Sequence, residues 1–320
     1  MSGTWSGWLA YGSSFAMMAL IQGVACLGLN VQWGQTGLFN VGVAGFVAVG
    51  AYTSALLTTA ALDGHLGGGL PIVVGVLAAM FSSAVVSAAV GAATLRLRSD
   101  YLAIATFGVA VVVDLVARNV AALTGGALGI SFIPRPFAAI ADRPTLFACA
   151  SLALVASIVL LAYLLLERLV ASPWGRVLRA IREDERAAAS LGKDAAAYRL
   201  QAFMVGGALM GLSGALQAHA TGFISPESFA ASLTFQTWAM LVVGGTGNNR
   251  GVLLGALLVS ALWSATGLAT AAWFPPEQQA RAAALRIVAI GVLLAVTIVW
   301  RPRGLLGERT AVSRHVAGDD

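Results

Sequence analysis

The sequence predicts an all-α polytopic membrane protein with about eight to ten transmembrane or re-entrant helices. Three observations predict it. The chain is 58% hydrophobic and only 10% charged, where an average soluble domain carries about 25% charge, and its mean hydropathy is +0.84. Apolar runs of about 20 residues, the length that crosses a bilayer, recur along it. Of its 19 basic and 14 acidic residues, nine crowd into "GRVLRAIREDERAAASLGKD" at 175–194, so charge is gathered between oily runs and not spread over a wettable surface.

In chain order the runs fall at 9–29, 41–62, 70–94, 101–117, 145–166, 200–220, 233–246, 251–272 and 285–300. The run at 233–246 is short, and 30–40 is polar and rich in glycine; either reads as a crossing, broken or re-entrant element. One membrane domain is expected over 1–310, with the loop 167–199 inside it and a short tail at 311–320. The loop 118–144, with "TGGALGI" and "PRPF", suits turns and a short interfacial segment.

Basic residues choose the orientation. With the N-terminus outside and every run crossing once, fourteen of nineteen Lys and Arg fall on the inner side. The positive-inside rule therefore places the charged segment and the tail in the cytoplasm. It also accounts for the net charge of +5 without nucleic acid, which needs a basic face in water. The first basic residue is Arg96, so the positive flank of a cleavable leader is missing. Cys26 and Cys149 lie in apolar runs and read as small hydrophobes, and three scattered histidines make no metal cluster.

Pro173 suits the first turn of a helix over 174–192, with Ser172 as its cap and Gly192 as its stop. At 100° per residue Val177, Ile181, Ala188 and Leu191 share an apolar arc. Arg179, Arg182 and Arg186 share another face, with Glu183 spaced for ion pairs to Arg179 and Arg186. Asp184, Glu185 and Asp194 bring the acids close to balance. A solvated connector and a helix lying on lipid headgroups are the plain alternatives, but a headgroup-bound helix should be basic with few acids. Mixed charge suits a protein partner.

At these residues the chain resembles a family. "GRVLRAIREDERAAASLGKDAAAYRLQAF" is similar to the cytoplasmic coupling loop of LivM-type permeases, the membrane subunits of branched-chain amino acid ABC importers. The resemblance extends to "NVQWGQTGLFNVGVAGFVAVGAYTSALL", "SDYLAIATFGVAVVVDLVARN", "LTGGALGIS", "GALQAHATGFISPESF", "MLVVGGTGNNRGVLLGA" and "WRPRGLLG", so it covers nearly the whole chain in order. It implies a permease fold with a short cytoplasmic coupling helix. The assembly it implies holds a second LivH-like permease subunit, two ABC ATPase subunits and an extracytoplasmic substrate-binding protein in a bacterial inner membrane. Residues 174–192 are then the ATPase-coupling element. Of the glutamate–alanine–alanine signature with its later glycine, Ala187, Ala188 and Gly192 fit, while Arg186 stands where the glutamate would be.

The sole lysine, Lys193, follows no glycine-rich run of the P-loop form. No cofactor is expected on this chain, and ATP with Mg belongs to partner subunits. "GGTGNNRG" at 244–251 sits between two apolar runs and reads as a tight turn. An ion-coupled secondary transporter would keep ionisable relays in its spans; only Asp114 lies in one, four residues before Arg118, a spacing that suits a structural pair. "GLSG" at 211–214 has the form of an intramembrane serine nucleophile, but His219 is 240° around and about 9 Å along the same helix from Ser213. Gly207, Gly211 and Gly214 instead make a small-residue stripe for close packing. The expected function is transport, not catalysis.

The solute path is expected to be uncharged. Asn30, Gln32, Gln35 and Asn40, with Gln217 farther on, are candidates to line it, a plain loop being the alternative at 29–42. Leucine, isoleucine and valine are the implied solutes. Urea, short-chain amides and other amino acids remain open, since selectivity in such importers is attributed to the binding protein.

Overall fold

A computed structural model describes residues 2–60, 67–95, 99–275, 278–301 and 303–308. The tail at 311–320, His65 and His315 lie outside the described residues. The chain order is α1 (Ser2–Leu29), running on as a π-helical turn (Asn30–Gln35), α2 (Val43–Thr58), α3 (Ile72–Thr94), α4 (Ser99–Asn119), the single turn α5 (Ala121–Thr124) and α6 (Pro144–Ala171). Then come α7 (Pro173–Glu183), α8 (Glu185–Ser190), α9 (Ala195–Thr221), α10 (Ala231–Gly244), α11 (Asn249–Trp273) and α12 (Gln279–Trp300). Each of the nine apolar runs becomes a helix. No strand forms among the described residues beyond one isolated bridge, Ile130 with Ile224.

Among the described residues, six helices are long and apolar enough to cross a membrane: Leu9–Gln35, Ile72–Thr94, Asp100–Asn119, Pro144–Ala171, Ala195–Thr221 and Asn249–Thr270. α2, with 16 residues, and α10, with 14, are shorter. The chain is a multi-pass membrane protein.

The bundle is turned inside out relative to a soluble fold. α3 exposes Val73, Leu77, Phe81 and Val85 and buries Gly75, Ala79, Ser83, Ser87 and Gly91, every fourth residue. Lipid is as apolar as leucine, so large side chains gain nothing by burial there; small residues let backbones approach and gain dispersion contacts. That small face meets α9. A Cβ on Gly211 would fall 2.5 Å from the Ala79 carbonyl oxygen, and one on Gly214 2.0 Å from that of Val47 on α2. The Ser83 hydroxyl donates to the carbonyls of Gly207 (2.7 Å) and Phe46 (3.0 Å). α9 is thus the hub, wrapped by α1, α2 and α3, while α1 also packs on α6 and α11 and α10 lies along α11.

Asp114 and Arg118 pair at 2.8 Å along α4. Ser213 donates to the Ile21 carbonyl at 2.8 Å, tying α9 to α1 as part of the packing.

Candidate functional site

The helix predicted over 174–192 is two helices. Asp184 leaves helical geometry for extended backbone (φ −150°, ψ 104°), and its carboxylate accepts from the amides of Arg186 (2.9 Å) and Ala187 (3.0 Å). A short acidic side chain that caps its own backbone competes with helix continuation. The break ends α7 and starts α8. Ser172 does not cap: its hydroxyl donates to the Leu169 carbonyl at 2.6 Å. Pro173 opens α7, and Gly175 sits so close to α6 that a Cβ would lie 2.0 Å from the Val170 carbonyl oxygen. Gly192 (φ +75°) ends α8 in the left-handed turn that glycine adopts without strain.

The break also re-sorts the faces. Ile181 and Ala188 stay buried with Ala195, against Val177 and Tyr198, but Leu191, expected on that arc, swings out and is 80% exposed. The ion pairs expected from Glu183 to Arg179 and Arg186 are replaced by longer-range ones. Glu185 pairs with Arg199 at 2.9 Å. Arg182 reaches Glu308 through two bonds of 2.8 and 2.9 Å and also donates to the Gly34 carbonyl. Arg179 reaches the Gln35 amide oxygen at 3.4 Å. Two of the three arginines therefore face the bundle, while Glu183, Asp184, Glu185, Arg186 and Ala187 face outward.

What Arg179 and Arg182 grip is a polar knot. Asn30 donates to the Asn249 side-chain oxygen (2.8 Å) and accepts from the Gly247 amide (2.8 Å). Gln32 donates to the Phe203 carbonyl on α9 (2.9 Å) and accepts from Asn40 (2.7 Å), whose own oxygen takes the Gly42 amide (2.7 Å). Gln35 donates to the Gly247 carbonyl at 3.0 Å. All four side chains are buried and bonded within the chain. In this conformation bonds within the chain hold all four, which is what makes uncharged amides stable inside an apolar bundle. Gln217 is half-buried near the opposite end of α9, some 14 residues beyond Phe203, and joins none of these.

The knot explains why α1 goes π-helical at Asn30–Gln35. Gly34 must press against the Asn30 side chain, where a Cβ would stand 2.1 Å from its oxygen. Trp33, Phe39 and Trp238 stack around the segment with centroids 4.7–5.5 Å apart, and the Trp238 indole donates to the Asn40 carbonyl. The "GGTGNNRG" run is the turn from α10 to α11, with Asn248 capping α11. Residues 304–308 lie across it as a strap, Leu305 and Leu306 donating to the carbonyls of Val243 and Gly244. A basin of about 600 Å³ opens beside α7, walled by Glu167, Arg176, Glu183, Asn248 and Glu308.

An amphipathic helix pair is clamped onto a spanning helix, its outward face exposed and its inward arginines held in a buried amide cluster. That is a handle on a membrane bundle. The family described as "branched-chain amino acid transport system / permease component" matches residues 12–297.

This chain belongs to that permease family.

Among its relatives, a "high-affinity branched-chain amino acid transport system permease protein LivM" of Salmonella typhimurium is 32% identical, over 94% of this chain and 72% of its own length. The like-named protein of Escherichia coli is 33% identical over 91% of this chain and 69% of its own length. A "probable branched-chain amino acid transport permease protein LivM" of Methanocaldococcus jannaschii is 29% identical over 91% of each chain. No solved structure matches the chain significantly. Within this permease fold the end opposite the handle is cross-tied by bonds the sequence did not reveal. His219 Nδ1 bonds the Pro134 carbonyl and its Nε2 bonds the Ser54 hydroxyl, each at 2.8 Å. Ser54 lies 165 positions away on α2, beyond any spacing argument, and the bonds tie the α4–α6 connection to α2 and α9.

Proposed function

We propose that this permease is the membrane-spanning subunit of an ATP-driven importer that carries leucine, isoleucine and valine delivered by an extracytoplasmic binding protein. The observation that carries the reading is the handle: α7–α8 presents five consecutive residues, 183–187, of mixed charge outward while Arg179 and Arg182 are bonded into the knot at the end of α1. Family membership supplies the solute class by analogy with the named relatives.

In this reading the handle faces the cytoplasm, as do residues 301–308, because fourteen of nineteen basic residues then fall inside. Two ATPase subunits take up the handles of this chain and of a second, LivH-like permease. Nucleotide-driven closure pushes on α7, and the push reaches α1 through Arg182 and the π-turn, α9 through Gln32, and the strap through Glu308. Two arrangements of a packed bundle, biased by nucleotide, make alternating access. The chain itself hydrolyses nothing and holds no cofactor; ATP and Mg sit on the ATPases. Asn30, Gln32, Gln35 and Asn40 act here as a transmission joint.

The test is reconstitution. The four-subunit complex with its receptor, in liposomes, should accumulate labelled leucine only with internal ATP, unaffected by a proton ionophore. Uptake by this chain alone, or uptake abolished by the ionophore with ATP present, would make it a secondary transporter. Accumulation of urea in place of leucine would move the solute class but keep the mechanism.

A further inference from the structure

A second polar surface lies on the bundle, and it is satisfied only in part: the Ser264 hydroxyl bonds the Tyr11 phenol at 2.5 Å, while other groups there lack partners. Between α1, α10 and α11 runs a groove of about 280 Å³ whose lining includes Ser14, Met18 and Gln22 of α1, Gln236 of α10, and Ser260 and Ser264 of α11. Positions 14, 18 and 22 repeat every fourth residue, and 260 and 264 do the same, so each helix turns one face to it. None of the lining residues is charged. Two of its buried polar atoms, the Gln22 amide oxygen and the Ser260 hydroxyl, have no hydrogen-bond partner, and Ser260 is only 9% exposed. Gln22 stands roughly 20 Å above the π-turn end of α1 and Ser260 roughly 16 Å above the start of α11, at 1.5 Å per residue. The groove therefore begins near the middle of a hydrocarbon layer about 30 Å thick and runs toward the end away from the handle.

Hydrocarbon does not accept a cluster of amides and hydroxyls on a helix surface, and unbonded buried ones least of all. Something with its own donors and acceptors must meet them. We infer that this groove is a water-filled stretch of the solute path, where Gln22, Gln236 and Ser260 hydrogen bond the ammonium and carboxylate of an amino acid while Met18 meets its apolar side chain. Neutral donors and acceptors suit a zwitterion because they bind both ends without holding either as a full charge would, and a path must release what it binds. The volume suits one such solute with a few waters. The inference rests on the import reading for the identity of the solute, and not for the groove being wet.

Two experiments test it on the assembled complex. Gln22→Leu and Ser260→Val should each lower ATP-driven leucine uptake about tenfold, the factor of one lost hydrogen bond, with the second permease and the ATPases still co-purifying. Uptake within twofold of the parent overturns the inference, and so does loss of the second permease from the complex, which would make the groove a protein seam. Separately, Ser264→Cys in a Cys149→Ser background should react with a charged methanethiosulfonate added outside, because only a hydrated thiol ionises. No reaction in the assembled complex means that lipid or protein covers the groove, and overturns it. Labelling at position 264 in an assembly that moves no leucine supports the wet groove and sinks the import reading instead.

Discussion

Arg182 offers the sharpest division between a handle held by its own bundle and a side chain free to dock. Its guanidinium makes a two-bond pair with Glu308, whose side chains are 23% and 34% exposed, and a further bond to the Gly34 carbonyl. A pair this exposed contributes about 1 kcal/mol at most after screening, the upper end reserved for two-bond geometry. The bond to Gly34, made to a buried π-turn, adds about 1 kcal/mol. Glu308→Gln should therefore cost about 1 kcal/mol and Arg182→Met about 2. The double variant should cost no more than Arg182→Met alone, which leaves a coupling energy of about 1 kcal/mol. Reversible unfolding in mixed micelles measures all three. Transport should fall in step, because the strap and the π-turn come loose from α7, while ATPase subunits continue to co-purify. If the two single changes cost the same and add without coupling, or if Arg182→Met releases the ATPases, Arg182 is a docking residue and the clamp is wrong.

The outward residues should behave in the opposite way. Glu183→Lys with Arg186→Glu, both exposed on the handle, should lower ATPase co-purification at least tenfold with unfolding unchanged, since misplaced like charges cost several kcal/mol at an interface. Gly211→Leu should lower melting in detergent by well over 5 °C or prevent folding, because even a Cβ there would meet the Ala79 carbonyl oxygen at 2.5 Å; an unchanged melting point by fluorescence-detected size exclusion counts against the stripe. Asp114→Asn removes the ion pair with Arg118 and should keep leucine uptake within about twofold at pH 6 and pH 8 alike. Loss of uptake with either pH dependence gone or ionophore sensitivity changed would restore Asp114 as a relay.

Reading charge as a signal found the handle but misjudged its faces. Spacing placed Val177, Ile181, Ala188 and Leu191 on one arc only if the helix were continuous. The Asp184 cap breaks it, and a single extended residue is enough to turn Leu191 into solvent. Asp at that position, ahead of "ERAAAS", was a signal available for a second helix start. The polar run 29–42 is legible in the sequence as something that cannot face lipid, either a loop or a broken helix; in the structure it is the π-helical end of α1 and the turn into α2. Its bonds were not legible, since the partners Phe203, Gly247 and Asn249 lie some 170 to 220 positions away. On α9, Gly207, Gly211 and Gly214 announced close packing; the matching row on α3 from Gly75 to Gly91 went unread, though its fourfold spacing stands in the sequence.

Local order along the chain was enough to establish the class of protein, the nine apolar helices, the charged helical insert and the family resemblance. Each of these depends on neighbours within about twenty residues, over which helix formation and insertion into a bilayer are settled. Facing was decided only when the bundle closed. In water, hydrophobicity tells a residue which way to turn; inside lipid that signal is flat, and small volume and hydrogen-bond satisfaction take its place. Both depend on what the opposite helix presents. Tertiary contact alone therefore bonded Arg182 to Glu308 and Ser54 to His219, filled the bonds of Asn30 and Gln32, and left Gln22 and Ser260 in their groove without partners.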